Sequence, residues 1–372
     1  MILKTEEFKD ACSKIWTAVD TQETSSYADS VELKVEDNTL YLCVTNREYY
    51  VQVKFDIDED EDFHATVKAA LFLKLISQIT TDTIELTATD NNLKIVGNGT
   101  YKIPLVYDED TNELLELPQV EINNKVNDFY INSETLLSIL KYNSDELNKG
   151  NVSKPVQNFY YVDEKGAITF TSGACVNNFT LSEPIKILLN NRLVKLFKLF
   201  KSGDVHFTLG LDPISSELNQ TRVRFETDTV VISSKLVSGM ADMLETIPVK
   251  SIRDRANKKY ENVVFLNKND LSNLISRLSL FTQKSTPYGV FEFDTDHVTV
   301  FDKNKENKEV IYYSKPSIVN NAPYTLNLDL NNLELTLKSS EDDAEFRFGD
   351  SRAMIMVKGN IIDIMPEIKF SR

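Results

Sequence analysis

The feature that most restricts the fold is a spacing that occurs three times. Leu3-Lys4 is followed by Phe8 and Ala11-Cys12, Ile131-Asn132 by Leu136 and Ile139-Leu140, and Leu266-Asn267 by Leu271 and Leu274-Ile275. Each copy is the end of a short apolar strand followed by apolar residues at helical intervals. The starts lie 128 and 135 residues apart. A period this long exceeds any solenoid repeat, so each copy is a whole domain with its own core. Later in each copy a helix leads into an alternating strand, at 84–88, 205–209 and 344–348. The predicted architecture is α+β, with three tandem domains of two helices packed on antiparallel sheets. The polar stretches NNKVND and RDRANKKYEN place the boundaries at 1–124, 125–257 and 258–372.

Local signals fill in this frame. A helical stripe runs through Phe8, Ala11, Cys12, Ile15, Trp16 and Val19, with Thr5 as the expected N-cap. Hairpin turns are expected at Asp37-Asn38 and Asp90-Asn91. A second helix is predicted over 66–79, burying Leu71, Phe72, Leu75, Ile76 and Ile79. The stretch 186–203, KILLNNRLVKLFKLFKSG, reads as one amphipathic helix. Its apolar stripe is Leu189, Leu193, Leu196, Phe197 and Phe200, and its second face carries Arg192, Lys195, Lys198 and Lys201 with no carboxylate. Residues 329–339 fit a helix through Leu330, Leu333 and Leu337 and a strand through Leu333, Leu335 and Leu337; analogy with the other copies favours the helix.

That cationic face is at odds with the chain, which has 372 residues, 41 Lys and Arg against 57 Asp and Glu, and a net charge of −16. Such a balance argues against coating nucleic acid over the whole surface but permits a basic lining inside an acidic body. Further cations fall on other expected helices: Lys68, Lys74, Lys141, Lys268, Arg277 and Lys338. Lysines on helices are ordinarily solvated, and their joint placement on corresponding helices is what points to a common concavity. Contacts there would reach phosphates and carry no base information.

Catalytic and metal chemistry find little support. His64, His206 and His297 have no ligand spacing, and each reads as structural or exposed. The acidic run 56–62 has Glu61 where a calcium loop needs glycine and Val67 where it needs glutamate, so it reads as a solvated loop. No phosphate loop or nucleophile elbow occurs. Cys12, Cys43 and Cys175 are isolated thiols, excluding a disulfide framework or a thiolate zinc site. No cofactor, metal or enzymatic activity is expected. Without an apolar run of membrane length, and with an acidic N-terminus, a cytoplasmic location is expected.

With the repeat in hand, the chain resembles the bacterial-type β sliding clamp, the processivity ring of replicative DNA polymerase. The resemblance runs end to end and is strongest at 14–20 (KIWTAVD), 73–105, 113–118 (ELLELP), 238–248 (SGMADMLETIP) and 360–368 (NIIDIMPEI). It implies a head-to-tail homodimer whose six domains close a ring around duplex DNA, with twelve helices lining the hole. By position, Leu280 and Phe281 match the family's apolar pair at the subunit interface and Tyr101 its aromatic counterpart. The family's partners, DNA polymerase and clamp loader, insert a short apolar peptide, and the matching pocket would use Thr171, Gly173, Val176, Pro248, Ile364, Met365 and Pro366.

The sequence departs from the family at several of these points. Ala174-Cys175 replaces a His-Arg pair, Gln157 a leucine, and Glu367 an apolar residue, while DTQETSSYAD lacks the arginine of the first DNA-facing loop. These departures suggest specialised partners, as in a virus- or plasmid-borne replisome. The implied function is a clamp that encircles DNA and tethers the polymerase. Two alternatives are a clamp-like scaffold that recruits replication proteins without encircling DNA, and an acidic-cluster metal nuclease using Asp58 and Asp60.

Overall fold

A computed structural model describes the chain except for residues 21–24, 47, 58–61, 123, 141–157, 171–172, 212–220, 283–286, 339–342, 350–352 and 369–372. Among the described residues one motif, strand–helix–three strands, occurs six times. The first copy is β1 (Ile2–Lys4), α1 (Thr5–Trp16), β2 (Ser30–Glu36), β3 (Thr39–Thr45) and β4 (Tyr49–Asp56). The second is β5 (His64–Lys68), α2 (Ala69–Gln78), β6 (Thr83–Ala88), β7 (Asn92–Val96) and β8 (Thr100–Pro104). The third is β9 (Asn124–Asn132), α3 (Ser133–Leu140), β10 (Phe159–Asp163), β11 (Gly166–Phe170) and β12 (Ala174–Asn178). The fourth is β13 (Lys186–Asn190), α4 (Asn191–Leu196), β14 (Asp204–Leu211), β15 (Thr221–Glu226) and β16 (Val230–Lys235). Two connector helices follow, α5 (Met240–Glu245) and α6 (Val249–Ala256). The fifth copy is β17 (Asn262–Asn267), α7 (Lys268–Leu278), β18 (Tyr288–Phe293), β19 (His297–Phe301) and β20 (Lys308–Tyr312). The sixth is β21 (Tyr324–Asp329), α8 (Leu330–Lys338), β22 (Asp343–Phe348), β23 (Ala353–Lys358) and β24 (Ile361–Pro366).

Each strand runs straight into its helix, leaving the first helical N–H groups to find acceptors. Backbone carbonyls supply several of them: Thr5 donates to Asp82, Ala69 to Asp29, Ser133 to Gly203 and Leu330 to Pro287. Asn267 adds a side-chain cap, its Oδ1 accepting from the N–H groups of Asn269 and Asp270. The expected cap at Thr5 is corrected: Lys4 occupies the N-cap position and Thr5 is the first helical residue, with its hydroxyl buried and unpartnered.

Contacts divide the chain into two compact units, 1–137 with 192–240 and 138–191 with 241–372. The first unit holds the sheets β1-β6-β7-β8 and β5-β2-β3-β4-β16-β15-β14-β9. Its core sets Phe8 of α1 edge-on to Phe72 of α2, with centroids 6.2 Å apart, and gathers Phe129, Phe197, Phe207 and Phe225. Such aromatic pairs add about 0.5–1.5 kcal/mol each beyond area burial. The second unit holds β13-β10-β11-β12-β24-β23-β22-β17 and β20-β19-β18-β21. Its main core joins Leu271, Leu274 and Leu278 of α7 to Leu330, Leu333 and Leu337 of α8 over Phe291, Phe293, Phe346 and Phe348.

Four expectations resolve here. The stretch 186–203 is not one helix: 186–190 is strand β13, α4 is short, and a 3-10 turn, Phe197–Leu199, ends it. Ile187, Leu188 and Leu189 are buried in succession and pair with Val162, Tyr161 and Tyr160. A run buried on both sides suits a covered strand better than an amphipathic helix, which would expose one of the three. The second helix begins at Ala69 because 66–68 pair with β2, and Leu71 is 55% exposed, its core place taken by Leu73. The ambiguous segment is helix α8, with Leu330, Leu333 and Leu337 all buried. Both expected hairpins form, and Asp37 and Asn38 adopt the positive φ of a tight turn.

Candidate nucleic-acid and partner surfaces

Four of the cations singled out from sequence are engaged by carboxylates. Arg192 Nη1 lies 3.0 Å from Asp20, Lys201 Nζ 3.4 Å from Asp10, Lys68 Nζ 2.6 Å from Asp29, and Arg277 grips Glu309 at 2.9 and 2.6 Å. Lys14, assisted by Lys201, holds the Asp10 carboxyl below its ordinary value, although burial pulls against it. Exposed pairs of this kind contribute about 0–1 kcal/mol, so a phosphate can displace the carboxylates at little cost. Lys74 and Lys198 are exposed and form no ion pair among the described residues. Lys195 and Lys268 are half-buried. Lys68 ends β5 and does not lie on the helix as expected. Lys338 ends α8, and Lys141 lies outside the described residues, as do Thr171, Gln157, Asp58 and Asp60.

The sheet orders expose a regularity that periodicity alone could not. Each eight-stranded sheet reads as a palindrome: the last strands of two motif copies pair at its centre, β4 with β16 and β12 with β24. Each four-stranded sheet is half of that palindrome, ending on a last strand that has no outer partner among the described residues, β8 in one and β20 in the other. A free edge of this kind is a template for another strand. Both edges carry exposed apolar groups: Tyr101 on β8, and Val310 and Tyr312 (70% exposed) on β20. Beside β20, tied to it by Arg277–Glu309, the 3-10 turn Ser279–Phe281 presents Leu280 at 80% and Phe281 at 61% exposure. Val310 and Tyr312 escape a sequence reading because alternation in KEVIYY does not say which face is covered.

The pocket residues fall on strand faces. Val176 pairs with Ile362 and Ala174 with Ile364, so Val176 and Ile364 share one face of the sheet. The added Cβ of an alanine at Gly173 would sit 1.9 Å from the Ile364 carbonyl oxygen and 3.0 Å from Pro366, which brings these three together. Alternation sends Met365 to the opposite face, into the core with Val264 and Leu271. Val176 and Ile364 are buried, whereas Pro366 and Pro248 are exposed. Gly173→Ala is expected to cost about 1–3 kcal/mol, the scale of overpacking, because backbone must move to relieve the clash; urea unfolding of the variant measures it.

The connector helix α6 packs on β12 and β24. It is pinned by Arg253, whose Nη1 and Nη2 donate to the two oxygens of Asp163 at 2.6 and 2.5 Å. Tyr161 Oη donates to the same carboxylate at 3.0 Å and the Lys165 N–H at 2.9 Å. Burial raises the affinity of Asp163 for a proton, but these donors, Arg253 first, outweigh it and hold the carboxyl below its ordinary value. With the folded value depressed, the pair's stabilisation is complete above the unfolded value near ~3.9 and is lost as pH falls through the folded one. Arg253→Ala should destabilise the second unit by about 3 kcal/mol, as expected for a broken buried pair. In denaturation series run into acid, Asp163→Asn should flatten the loss of stability below about pH 4.

At the β12–β24 seam the core face holds a second buried pair, Lys358 Nζ 3.0 Å from Asp363, with Lys358 also donating to the Thr336 carbonyl. Cys175 lies opposite Asp363 in the ladder. All three cysteines are free and buried; burial pushes their thiols up, Cys43 to about 12. Among the described residues no group of three or more His, Cys, Asp or Glu could hold a metal ion, and no helix is long and apolar enough to cross a membrane.

Six strand–helix–three-strand motifs, four of them joined last strand to last strand, define the class: this is the fold that solved DNA sliding clamps share. Residues 1–115 match the family described as DNA polymerase III beta subunit, N-terminal domain. The chain is 28% identical over 144 residues to the Beta sliding clamp of Mycoplasmopsis pulmonis, an alignment covering 37% of this chain and 36% of that protein, so it spans about a third of that relative's length. A DnaN sliding clamp of Pseudomonas aeruginosa, solved bound to griselimycin, has a TM-score of 0.79 at 14% identity, covering 100% of this chain and 99% of that one. The DNA polymerase beta subunit of Streptococcus pyogenes gives 0.78 at 15%, with 99% of both chains covered. The fold is that of solved bacterial sliding clamps, and residues 1–115 carry the match to the polymerase III beta-subunit family.

Proposed function

We propose that this chain is a DNA sliding clamp: two copies close head to tail around duplex DNA and tether the replicative polymerase in the cytoplasm, with no catalysis of their own. The observation that carries the reading is the pair of open sheet edges. Joining β8 of one copy to β20 of a second would complete a third palindromic sheet of the kind already made twice within the chain. Repeated at both ends of a dimer, the joint leaves no last-strand edge open. The three domains, 1–124, 125–257 and 258–372, would then be the ring's repeating segments, with Tyr101, Leu280 and Phe281 at the joint.

The cations Lys68, Lys74, Lys141, Arg192, Lys195, Lys198, Lys201, Lys268, Arg277 and Lys338 would face the phosphates. An apolar peptide of the polymerase or clamp loader would dock at the slot around Thr171, Gly173, Val176, Pro248, Ile364, Met365 and Pro366. Changing Arg192, Lys195, Lys198 and Lys201 together to glutamate is the test. Processivity on primed circles should be lost while the dimer persists in sedimentation. Unchanged processivity would favour the scaffold that does not encircle DNA. Binding to linear duplex should be weak and fall with salt, as phosphate-only contacts require.

A further inference from the structure

We infer that the cleft beside α6 binds carboxylates, so that the partner segment this chain selects is acidic next to its apolar anchor. The inference rests on the partner-peptide reading above and specifies its chemistry. The cleft encloses about 820 Å³ and is lined by Tyr161, Lys165, Lys186, Pro248, Lys250 and Arg253, among others. Arg253 is neutralised by Asp163, which leaves three exposed lysines facing a single further lining carboxylate, Asp254. None of the three lysines forms an ion pair among the described residues. In a chain of net charge −16, cations gathered without carboxylate partners mark a local reversal of sign.

The cleft is continuous in the sheet with the apolar slot. Tyr161 pairs with Ile168 and Ile168 with Val176, so Val176 lies two strands, about 10 Å, from Tyr161 on the same face. Pro248 belongs to both the cleft lining and the expected slot. A segment of a few residues spans that distance, with its apolar side chains at the slot and its carboxylates among the lysines. A nucleic-acid strand is the weaker fit: its dense charge meets the repulsion of the whole acidic body, whereas one or two carboxylates feel mainly the local lysines within a Debye length.

The test uses the full chain and fluorescence anisotropy with labelled probes: a decapeptide with a Leu-Phe anchor flanked by aspartates, the same peptide flanked by serines, and a single-stranded oligothymidylate. At low ionic strength the aspartate peptide should bind about tenfold more tightly than the serine peptide, equivalent to about 1.4 kcal/mol. The advantage should vanish in the K165E/K186E/K250E variant, whose exposed substitutions leave the fold intact by circular dichroism. Equal binding of the two peptides overturns the inference and leaves the partner-peptide reading standing. Failure of both peptides to bind overturns both. An aspartate advantage that survives in the triple variant places the recognition elsewhere, and oligothymidylate binding that alone depends on the three lysines assigns the cleft to nucleic acid; either result overturns it.

Discussion

Replacing Leu280 and Phe281 with aspartate is expected to turn the dimer into a monomer and to abolish retention on closed circular DNA. Both side chains stand largely in water on the 3-10 turn beside the free strand β20. Burying a large apolar side chain contributes about 1.5–3 kcal/mol, so losing two at a joint weakens it by about 3–6 kcal/mol, on the order of 10²–10⁴-fold. Two charges brought into the contact add desolvation cost to the loss. Sedimentation velocity across a dilution series reads the change directly. The same substitution at Val126, 62% exposed on β9 at a first-strand edge, serves as control and should leave assembly untouched. Equal disruption by both variants, or a dimer that survives the Leu280/Phe281 change, would remove the edge-joining basis of the ring.

The second large effect lies inside the fold. Asp363→Ala leaves Lys358 buried without its counter-charge, and should cost the second unit about 3–5 kcal/mol. Replacing both, with leucine at 363 and methionine at 358, should recover most of that loss, because an apolar pair needs no desolvation of charge. Chemical denaturation of the single and double variants forms the cycle that separates the pair from its parts. Burial raises the Asp363 carboxyl despite Lys358, so only between its ordinary and its raised value does the native state keep a proton that the unfolded state has released. This group therefore weakens the fold as pH climbs from its ordinary value to its raised one, opposite in sign to Asp163.

The threefold recurrence is legible in the sequence because each first strand is brief and its helix amphipathic, so Phe8, Leu136 and Leu271 mark equivalent turns. The sixfold recurrence beneath it is hidden. At 186–190 the strand is apolar at Ile187, Leu188 and Leu189 in succession and continues the helical spacing of Leu193 by coincidence, and at 64–68 the helix follows without a capping side chain. The cations that follow β13 are visible in sequence, but Asp20 and Asp10, the carboxylate partners of Arg192 and Lys201, lie about 170–190 residues away, which no local pattern encodes. The same holds for Arg253 and Asp163, separated by 90 residues. Open strand edges are a property of sheet order, and sheet order depends on pairings between distant segments.

The central seams also set a timetable for making the protein. Ala174 of β12 pairs with Ile364 of β24, so β12 waits about 190 residues of synthesis for its partner. Over that interval β12 is a bare edge, and long-range pairing of this kind folds slowly and is exposed to aggregation. Loss of β24 would leave that edge permanently uncovered.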